Sequence, residues 1–286
     1  DLLRHSREYS SSLIIVNRKA AARELYLESR GKKYHLCTYM TAYDRTRVLQ
    51  EIRAELAQLE KEYPDGKSVP EDRRITIIST SLIEAGVDLD VYTVFRERAG
   101  LDSVLQAGGR CNREGKREKG DVFVFDLKDE RGRAITDERA NFTKGLLEKY
   151  PDISAAECIN EYYSRLFRMK KEDIQKNTMH QACADIASIP FKQYAEKFAL
   201  IDSRTISLVV PRDEQSKRLI EALRYTKTGN GRQLQNYTCS VRLKEMEDLL
   251  SQHAVDDFGT GIFCLTNKDY YDENIGILFE ATDYFL

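Results

Sequence analysis

Residues 11–30 read SSLIIVNRKAAARELYLESR, and this stretch contains the pattern that decides the fold. Residues 11–16 form a short apolar, β-rich run, and from Arg18 onward helix-forming residues follow until Gly31. A strand followed by a helix is predicted. The same order repeats downstream, where a strand predicted at residues 34–39 (YHLCTY) precedes a helix predicted at residues 42–62, whose apolar residues recur at helical spacing. Two successive strand–helix pairs indicate an α/β sheet.

Three further apolar runs extend this pattern downstream. They are residues 75–80 (ITIIST), 91–95 (VYTVF) and 122–125 (VFVF), and short helical patterns separate them. Continuous apolar runs of this length are typical of strands buried on both faces of a parallel sheet. Residues 1–130 are therefore predicted to form an open parallel sheet flanked by helices. In such sheets ligands bind at the carboxyl ends of the strands, where we expect the functional motifs to lie.

The rest of the chain has a different pattern. Residues 131–185 are charged and helical with little strand signal, so we predict a helical connector. Residues 186–286 are predicted to form a small mixed α+β C-terminal domain, because short apolar runs alternate with helical patterns. The runs are residues 206–210, 261–265 and 276–279, and the helical patterns are residues 214–225 and 243–250.

Composition narrows the class of protein. The 286 residues include 45 Lys and Arg against 47 Asp and Glu, so no overall positive charge indicates a nucleic-acid partner and any polyanion site must be local. No apolar run approaches the roughly 18 residues that span a bilayer, so no membrane association is expected. The chain begins at Asp1 without a leader, which indicates a piece of a longer protein.

The cysteines indicate the compartment. Six are scattered along the chain and none forms a CxxC pair. Reduced, mostly buried thiols and a cytoplasmic location are predicted, the alternative being disulfides in a secreted protein.

The first informative motif is STSLIEAGVDLD, residues 79–90, directly after a predicted buried strand. Ser79 and Thr80 offer hydroxyls at a strand end, where free backbone N–H groups also suit a phosphate. Gly86 permits a turn, and Asp88 can accept hydrogen bonds from a ribose hydroxyl or hold an arginine. Taken alone, the same residues could be an ordinary cap between a strand and a helix.

The second motif is QAGGRCNREG, residues 106–115, behind a helix predicted to start near Asp102. Its glycines allow close approach of a ligand, and Arg110 and Arg113 are spaced to project from one face of a helical turn. Two guanidiniums on one face can stabilise the charge of a transferring phosphoryl group. Surface arginines in a basic turn are the alternative interpretation.

Together the two motifs are more specific, because they occur in this order within one α/β domain. The chain resembles superfamily 2 helicases, whose motifs five and six match these two strings. Within that superfamily it is most similar to the CRISPR-associated helicase-nuclease family. The resemblance extends to SLIIVNRKAAARELY, which matches motif four, to LCTYMTAYDR, and towards the end of the chain to IPFKQYAEKFALID and GIFCLTNKDYYDENIGILFE. It implies that residues 1–130 are the second RecA-like lobe of a helicase.

The resemblance also implies a role for each matching residue. Arg110 and Arg113 would contact the γ-phosphate, Gln106 the adenosine and phosphates, and Asp88 the nucleotide sugar or the motif six arginines. The full hypothesis comprises Arg110, Arg113 and Gln106 as catalytic residues, Asp88, Gly86 and Gly109 as nucleotide-binding residues, and Thr80, Asn17, Thr38 and Ser79 as nucleic-acid-binding residues. The chain departs from many superfamily members at Ala107, where they carry an arginine.

Parts of a complete helicase are absent from the sequence. It contains neither a phosphate loop nor an acidic magnesium motif; Gly66, Lys67 and Ser68 imitate the end of such a loop, but Lys61 occupies the place of its first glycine. The four histidines include no adjacent His-Asp pair, so no metal site is predicted within this chain. ATP and magnesium would bind in the intact protein, between this lobe and a first lobe, with a nuclease domain elsewhere.

The resemblance implies an ATP-dependent translocase or helicase that moves single-stranded DNA and unwinds invader DNA in CRISPR defence. A CRISPR effector (surveillance) complex would be its partner, and the fragment alone would be inactive as an ATPase. One alternative is another superfamily 2 DNA or RNA helicase. A second alternative is a docking module built on a helicase-like lobe without catalysis.

Two other stretches of sequence are candidate contacts for nucleic acid. Residues 165–176, RLFRMKKEDIQK, combine cations with a phenylalanine, although a charge run of this kind is more often a solvated helix face. The aromatic residues near the end of the chain are more often core residues than a contact surface. These are Tyr270, Tyr271, Tyr284 and Phe285.

Overall fold

The computed structural model describes residues 1–66, 68–84, 86–176, 205–226, 231–257 and 262–279. The string IPFKQYAEKFALID, the end of the predicted connector and the beginning of the predicted C-terminal domain therefore lie outside the described residues. So do Lys67, His180, Cys183, Tyr284 and Phe285.

A five-stranded, all-parallel sheet forms the first part of the chain. Its order is β2-β3-β1-β4-β5, so consecutive strands are joined by crossovers. The strands are β1 Ser11–Val16, β2 Lys32–Leu36, β3 Ile75–Thr80, β4 Thr93–Glu97 and β5 Asp121–Phe125. The helices are α1 Leu2–Ser6, α2 Lys19–Glu28, α3 Ala42–Glu62 and α4 Leu101–Gly108. This is the RecA-like α/β sheet that the sequence predicts.

The central strand β1 shows why the sheet forms. All six of its residues are buried, and side chains that alternate along a strand point to opposite faces. Leu13 and Ile15 pack in one core with α3, whereas Ile14 and Val16 pack in another with Ala21 and other residues of α2. Both faces of the strand are thus covered by helices, which explains the uninterrupted apolar run.

A second compact unit contains residues 99–101 and 136–204, and its described elements are helical. They are α5 Glu138–Lys149 and α6 Ala156–Lys176. Asp137 caps the N-terminus of α5, because its side chain accepts a hydrogen bond from the Ala140 backbone N–H. Leu146 on α5 is fully buried, as is Tyr162 on α6.

A small mixed sheet of order β7-β6-β9-β8 lies towards the end of the chain, in the same compact unit as the parallel sheet. Strand β6 is antiparallel to β7 and parallel to β9. The strands are β6 Thr205–Val209, β7 Thr238–Arg242, β8 Val255–Asp257 and β9 Phe263–Leu265, with a two-stranded pair β10 Tyr271–Asp272 and β11 Gly276–Ile277. The helices are α7 Glu214–Thr226, α8 Gly231–Leu234 and α9 Leu243–Ser251. The predicted mixed α and β character is confirmed.

Candidate functional site

Three loops meet at the carboxyl edge of the parallel sheet. Asn17 follows β1, Thr38 lies two residues after β2, and Thr80 ends β3. Val16 pairs with Thr80, and β3 lies between β1 and β2. The structure therefore brings these three predicted nucleic-acid contacts together on neighbouring strand ends.

The four predicted nucleic-acid contacts differ in accessibility. Asn17 is exposed, Thr38 is half-buried and Thr80 is 7% exposed. Ser79 is fully buried, and its hydroxyl oxygen lies 3.0 Å from the Leu36 carbonyl and 2.9 Å from the Thr80 carbonyl. A hydroxyl has a single proton to donate. The Ser79 side chain therefore bonds to the backbone of the sheet rather than presenting a surface to a ligand.

A buried charge network lies against Asn17. Arg96, 1% exposed on β4, pairs through Nε with Oε1 of Glu84 at 2.9 Å and donates from Nη1 to Oδ1 of Asn17 at 2.7 Å. The Asn17 backbone N–H donates to Oε2 of Glu97 at 2.6 Å, and its side-chain amide donates to the Arg98 carbonyl at 3.0 Å. Both ends of the Asn17 amide group are therefore fixed by protein contacts.

Desolvation dominates the electrostatics of this network. Burial raises the pKa of Glu84, whereas the positive charge of Arg96 lowers it. Burial also raises the pKa of Glu97. It lowers the pKa of the Arg96 guanidinium, whereas the negative charges of Glu84 and Glu97 raise that pKa. The partners oppose the effect of burial on each group without cancelling it, so the members depend on one another.

The predicted site does not include Glu84, Arg96 or Glu97. A signal for them exists in FRERAG, residues 95–100, where charged residues directly follow an apolar strand run. A charge within a buried strand requires a partner of opposite sign. Glu84, the acidic residue in the middle of motif five, is a partner that the sequence offers.

The motif six arginines lie at the opposite edge of the sheet. Helix α4 runs from the carboxyl end of β4 back towards the amino end of β5, so the residues after it reach the amino edge. The Val91 N–H, two residues before β4, donates to the Arg110 carbonyl at 3.0 Å. The Arg113 N–H donates to Oδ1 of Asp90 at 3.0 Å. The expectation that both motifs lie at carboxyl ends is therefore wrong for motif six.

Arg113 and Asp88 form a direct contact between the two motifs. Nε of Arg113 lies 2.9 Å from Oδ1 of Asp88, and their side chains are 43% and 77% exposed. Gly86 has φ +72°, a left-handed conformation that glycine adopts without strain, two residues before Asp88. Both charged groups are open to a ligand from solvent.

Arg110 makes a second, buried connection between the motifs. It is 8% exposed, and its guanidinium donates from Nε to the Ile83 carbonyl at 3.2 Å and from Nη2 to the Glu84 carbonyl at 2.6 Å. Burial lowers the pKa of Arg110, and the nearby positive charge of Arg113 lowers it further. A guanidinium has five N–H donors, so three remain beyond these two contacts. The two arginines follow the last helical residue, Gly108, rather than projecting from a helix.

Of the remaining motif six residues, some lie on the surface and one lies in the core. Gln106 and Gly109 are exposed beside the arginines. Ala107 is fully buried in the core cluster on the α3 side of the sheet. An arginine would not fit at this position without displacing core side chains, which explains the departure at Ala107 in steric terms.

The loop at residues 37–41, which carries Thr38, is held by the C-terminal sheet. The Ser240 N–H of β7 donates to the Thr38 carbonyl at 3.4 Å, and the Ile277 N–H of β11 donates to the Tyr39 carbonyl at 3.2 Å. The position of Thr38 thus depends on residues more than 200 positions away in the sequence.

The other surfaces give few further indications. On α6, Phe167 is 61% exposed and Arg165 pairs with Glu161. Tyr270 is buried near the C-terminal core, in agreement with the prediction that it is a core residue. In the part of the chain that the structure describes, no group of three or more His, Cys, Asp or Glu side chains is arranged to hold a metal ion. No described helix is long and apolar enough to cross a membrane.

Comparison with known proteins finds similar proteins both by sequence and by fold. Residues 8–116 match the family model described as CRISPR-associated nuclease/helicase Cas3, C-terminal. The curated protein of that name from Haloferax volcanii is 52% identical over 66 residues, which is 22% of this chain and 7% of the relative. The one from Methanothermobacter thermautotrophicus is 31% identical over 144 residues, which is 48% of this chain and 16% of the relative.

Solved structures extend the likeness of fold over nearly the whole chain. The crystal structure of T. fusca Cas3-ADP aligns with a TM-score of 0.61 and 14% identity, covering 97% of this chain and 40% of that one. A CRISPR RNA-guided surveillance complex in its pre-nicking state contains a chain that aligns with a TM-score of 0.53 and 12% identity, covering 96% of this chain and 41% of that one. The chain thus spans less than half the length of the relatives it matches. Residues 8–116 are therefore similar to the C-terminal region of CRISPR-associated nuclease/helicase Cas3 proteins, and the fold of nearly the whole chain is similar to that of solved Cas3 structures.

Proposed function

We propose that this region is the second motor lobe and C-terminal domain of an ATP-dependent translocase that moves along single-stranded DNA. In the full-length protein, ATP with magnesium would bind between this lobe and a first lobe that supplies the phosphate loop. Arg110, Arg113 and Gln106 would face the nucleotide phosphates from this side, with Asp88, Gly86 and Gly109 beside them. The chain alone would not hydrolyse ATP.

The observation that carries this proposal is the placement of the two arginines. Arg110 is fixed by two carbonyls of motif five, and Arg113 lies on Asp88 of the same motif. Guanidiniums held before the reaction begins cost little reorganisation when charge develops on a transferring phosphoryl group. Because the other half of the site would lie on another lobe, hydrolysis would depend on lobe closure, which links chemistry to movement.

At the carboxyl edge, Asn17, Thr38 and Thr80 would hold the sugar-phosphate backbone of the strand. Their loops come from three adjacent strands, and backbone contacts of this kind position a nucleic acid without reading its sequence. Ser79 would contribute indirectly, by fixing the backbone on which Thr80 lies. The pre-nicking surveillance complex that contains a similar chain favours a CRISPR effector complex as the partner. Invader DNA would then be the substrate, and the cytoplasm the location.

The test is DNA-stimulated ATP hydrolysis by the full-length protein. Arg113→Ala is the sharper variant, because the Arg113 side chain is 43% exposed while Arg110 also supports two buried carbonyls. We expect turnover to fall by about a thousandfold, the lower end for an arginine finger, with nucleotide binding retained. Arg4→Ala is the control, since the Arg4 side chain is 80% exposed on α1.

Two outcomes would contradict the proposal. Unchanged turnover in both Arg113→Ala and Arg110→Ala would leave the arginines without a role in hydrolysis and favour the docking module. Stimulation by RNA but not by DNA would instead indicate a different superfamily 2 helicase.

A further inference from the structure

Glu84 joins the two halves of the candidate site. Its backbone carbonyl accepts from Nη2 of Arg110 at 2.6 Å, and its carboxylate pairs with Nε of Arg96 at 2.9 Å. Arg96 in turn donates to Oδ1 of Asn17 at 2.7 Å. These four residues therefore form one continuous chain of polar contacts. It runs from the proposed nucleotide contact Arg110 to the proposed strand contact Asn17.

We propose that Glu84 and Arg96 are positioning residues that couple the strand site to the nucleotide site. A phosphate bound at Asn17 shifts Arg96 and, through Glu84, changes the position of Arg110. This inference rests on the proposed function, which assigns Asn17 to the strand and Arg110 to the nucleotide. Neither Glu84 nor Arg96 touches a ligand in this assignment.

Burial is the physical reason that the pair transmits a change. The side chains of Arg96 and Glu84 are 2% and 7% exposed, so water does not screen their interaction. A phosphate anion at Asn17 attracts the same guanidinium that Glu84 holds. As Arg96 moves towards the phosphate, the carboxylate of Glu84 loses part of its partner, and a buried charge without its partner is unstable.

The response of Glu84 reaches Arg110 through the main chain. The carbonyls of two consecutive residues, Ile83 and Glu84, accept hydrogen bonds from the Arg110 guanidinium. A shift of the Glu84 side chain that turns its peptide unit therefore moves an acceptor that Arg110 depends on. The position of the Arg110 side chain then differs between the strand-bound and strand-free states. Coupling between two sites requires a contact that differs between the two states in this way.

The chain contains a matched control pair. Arg98 contacts both carboxylate oxygens of Asp126 at 2.8 Å, at the same edge of the sheet. The Arg98 side chain is 7% exposed and that of Asp126 is 33% exposed, so the cation of this pair is buried nearly as deeply as Arg96 while its carboxylate is more open. Among the described residues, the contacts of the Arg98 side chain do not lead to Arg110. If both ion pairs only stabilised this edge of the sheet, loss of either pair would leave the stimulation by DNA unchanged or lower it in the same way.

The experiment compares two double variants of the full-length protein. Glu84→Gln/Arg96→Met removes the proposed relay, and Asp126→Asn/Arg98→Met removes the control pair; each deletes one positive and one negative charge. The readout is the ratio of ATP turnover with saturating single-stranded DNA to turnover without DNA. This ratio does not depend on the fraction of active protein, so a loss of folded molecules alone does not change it.

We expect the relay variant to lose at least about fivefold in this ratio, the lower range of measured couplings between sites. The control variant should keep the ratio of the wild type. Glu84→Asp, which retains both charges but shortens the side chain by one methylene group, should lower the ratio in the same direction. This variant tests the inference without changing the number of charged groups.

Two results would overturn the inference. One is a wild-type ratio in the relay variant and in Glu84→Asp; the other is an equal loss in the relay and control variants. In both cases the wild type would still be stimulated by DNA and the proposed function would stand. Absence of stimulation in the wild type would instead remove the proposed function and the inference with it.

Discussion

At the scale of single residues, the surroundings of His35 determine when it takes up a proton. His35 is 2% exposed, its Nδ1 lies 3.1 Å from the Asn274 carbonyl, and its Nε2 has no hydrogen-bond partner among the described residues. The neutral ring thus donates from Nδ1, and a second proton on Nε2 would place a buried charge without an acceptor. Burial lowers the pKa of His35 to about 4.

This shift predicts a loss of stability in mild acid. The unfolded chain takes up the proton near pH 6.5, whereas the folded protein resists it until about pH 4. The contribution of His35 is therefore fully present above pH 6.5 and is lost as the pH falls towards 4. Between pH 7.5 and pH 5 the free energy of unfolding should fall by about 2 kcal/mol from this residue.

Urea unfolding at the two pH values measures this effect. His35→Gln, which keeps a donor but does not titrate in this range, should lose about 2 kcal/mol less than the wild type. His253→Asn is the control: His253 is exposed at φ +53°, a conformation that asparagine tolerates, and the variant should behave like the wild type. A wild-type loss in His35→Gln would show that other groups cause the acid sensitivity.

Residue-level prediction succeeded for contacts between motifs and failed for contacts between strands. The resemblance implied that Asp88 contacts either the nucleotide sugar or a motif six arginine, and Arg113 lies 2.9 Å from it in the structure. The pair of Glu84 and Arg96 depends on the order of strands in the sheet, since β4 lies beside β1 although two strands, β2 and β3, separate them in sequence. The local pattern of the sequence does not indicate which strands lie side by side in the sheet.

At the scale of elements, strands with apolar runs were predicted closely and short mixed strands were not. Helix α3 and strands β1 and β3 have the predicted bounds. The predicted strand at residues 34–39 ends at Leu36, because the C-terminal sheet holds the following loop in another conformation. Strand β7 was missed, since its sequence TCSVR is short and half polar and gains its stability from pairing with β6.

Helix α3 is joined to the C-terminal residues through one buried carboxylate. Asp44, in the first turn of α3, has no exposed surface. Arg212 contacts its two oxygens at 2.8 and 3.1 Å, and Tyr271 donates a hydroxyl at 2.6 Å. The Thr41 hydroxyl donates at 2.8 Å. The hydrogen bond and charge of Asp44 also raise the pKa of Tyr271, whose burial has the largest effect.

Loss of this carboxylate should destabilise the fold strongly. Asp44→Ala leaves the half-buried cation of Arg212 without its main partner, so we expect the free energy of unfolding to fall by about 3 to 5 kcal/mol. The control is Glu51→Ala on the same helix, which removes an exposed ion pair with Arg47 and should cost less than about 1 kcal/mol. Denaturant titration measures both variants. Equal costs would show that the junction of α3 with the C-terminal residues contributes no more than a surface pair.

At the scale of the whole molecule, the C-terminal sheet belongs with the parallel sheet. The two form one compact unit, although most residues of the second compact unit intervene in the sequence. The division into regions 1–130, 131–185 and 186–286 remains a prediction. Sequence patterns show where the composition changes, but they do not show which regions pack together.

This arrangement makes a distant glycine important for the strand site. Gly276 has φ +94°, and a Cβ there would lie 2.5 Å from the carbonyl carbon of Tyr39, next to Thr38. Gly276→Ala should therefore displace the loop that carries Thr38 and weaken binding of single-stranded DNA by about tenfold, equivalent to about 1.4 kcal/mol.

Gly132→Ala is the control that distinguishes this clash from backbone strain. Gly132 has φ +74°, but no atom lies within 4 Å of the position of its Cβ, so the substitution introduces strain without a clash. Fluorescence anisotropy of labelled DNA with the full-length protein gives both affinities. If Gly132→Ala weakened binding as much as Gly276→Ala, strain rather than contact with the loop would be the cause; if neither did, the C-terminal sheet would not control the strand site.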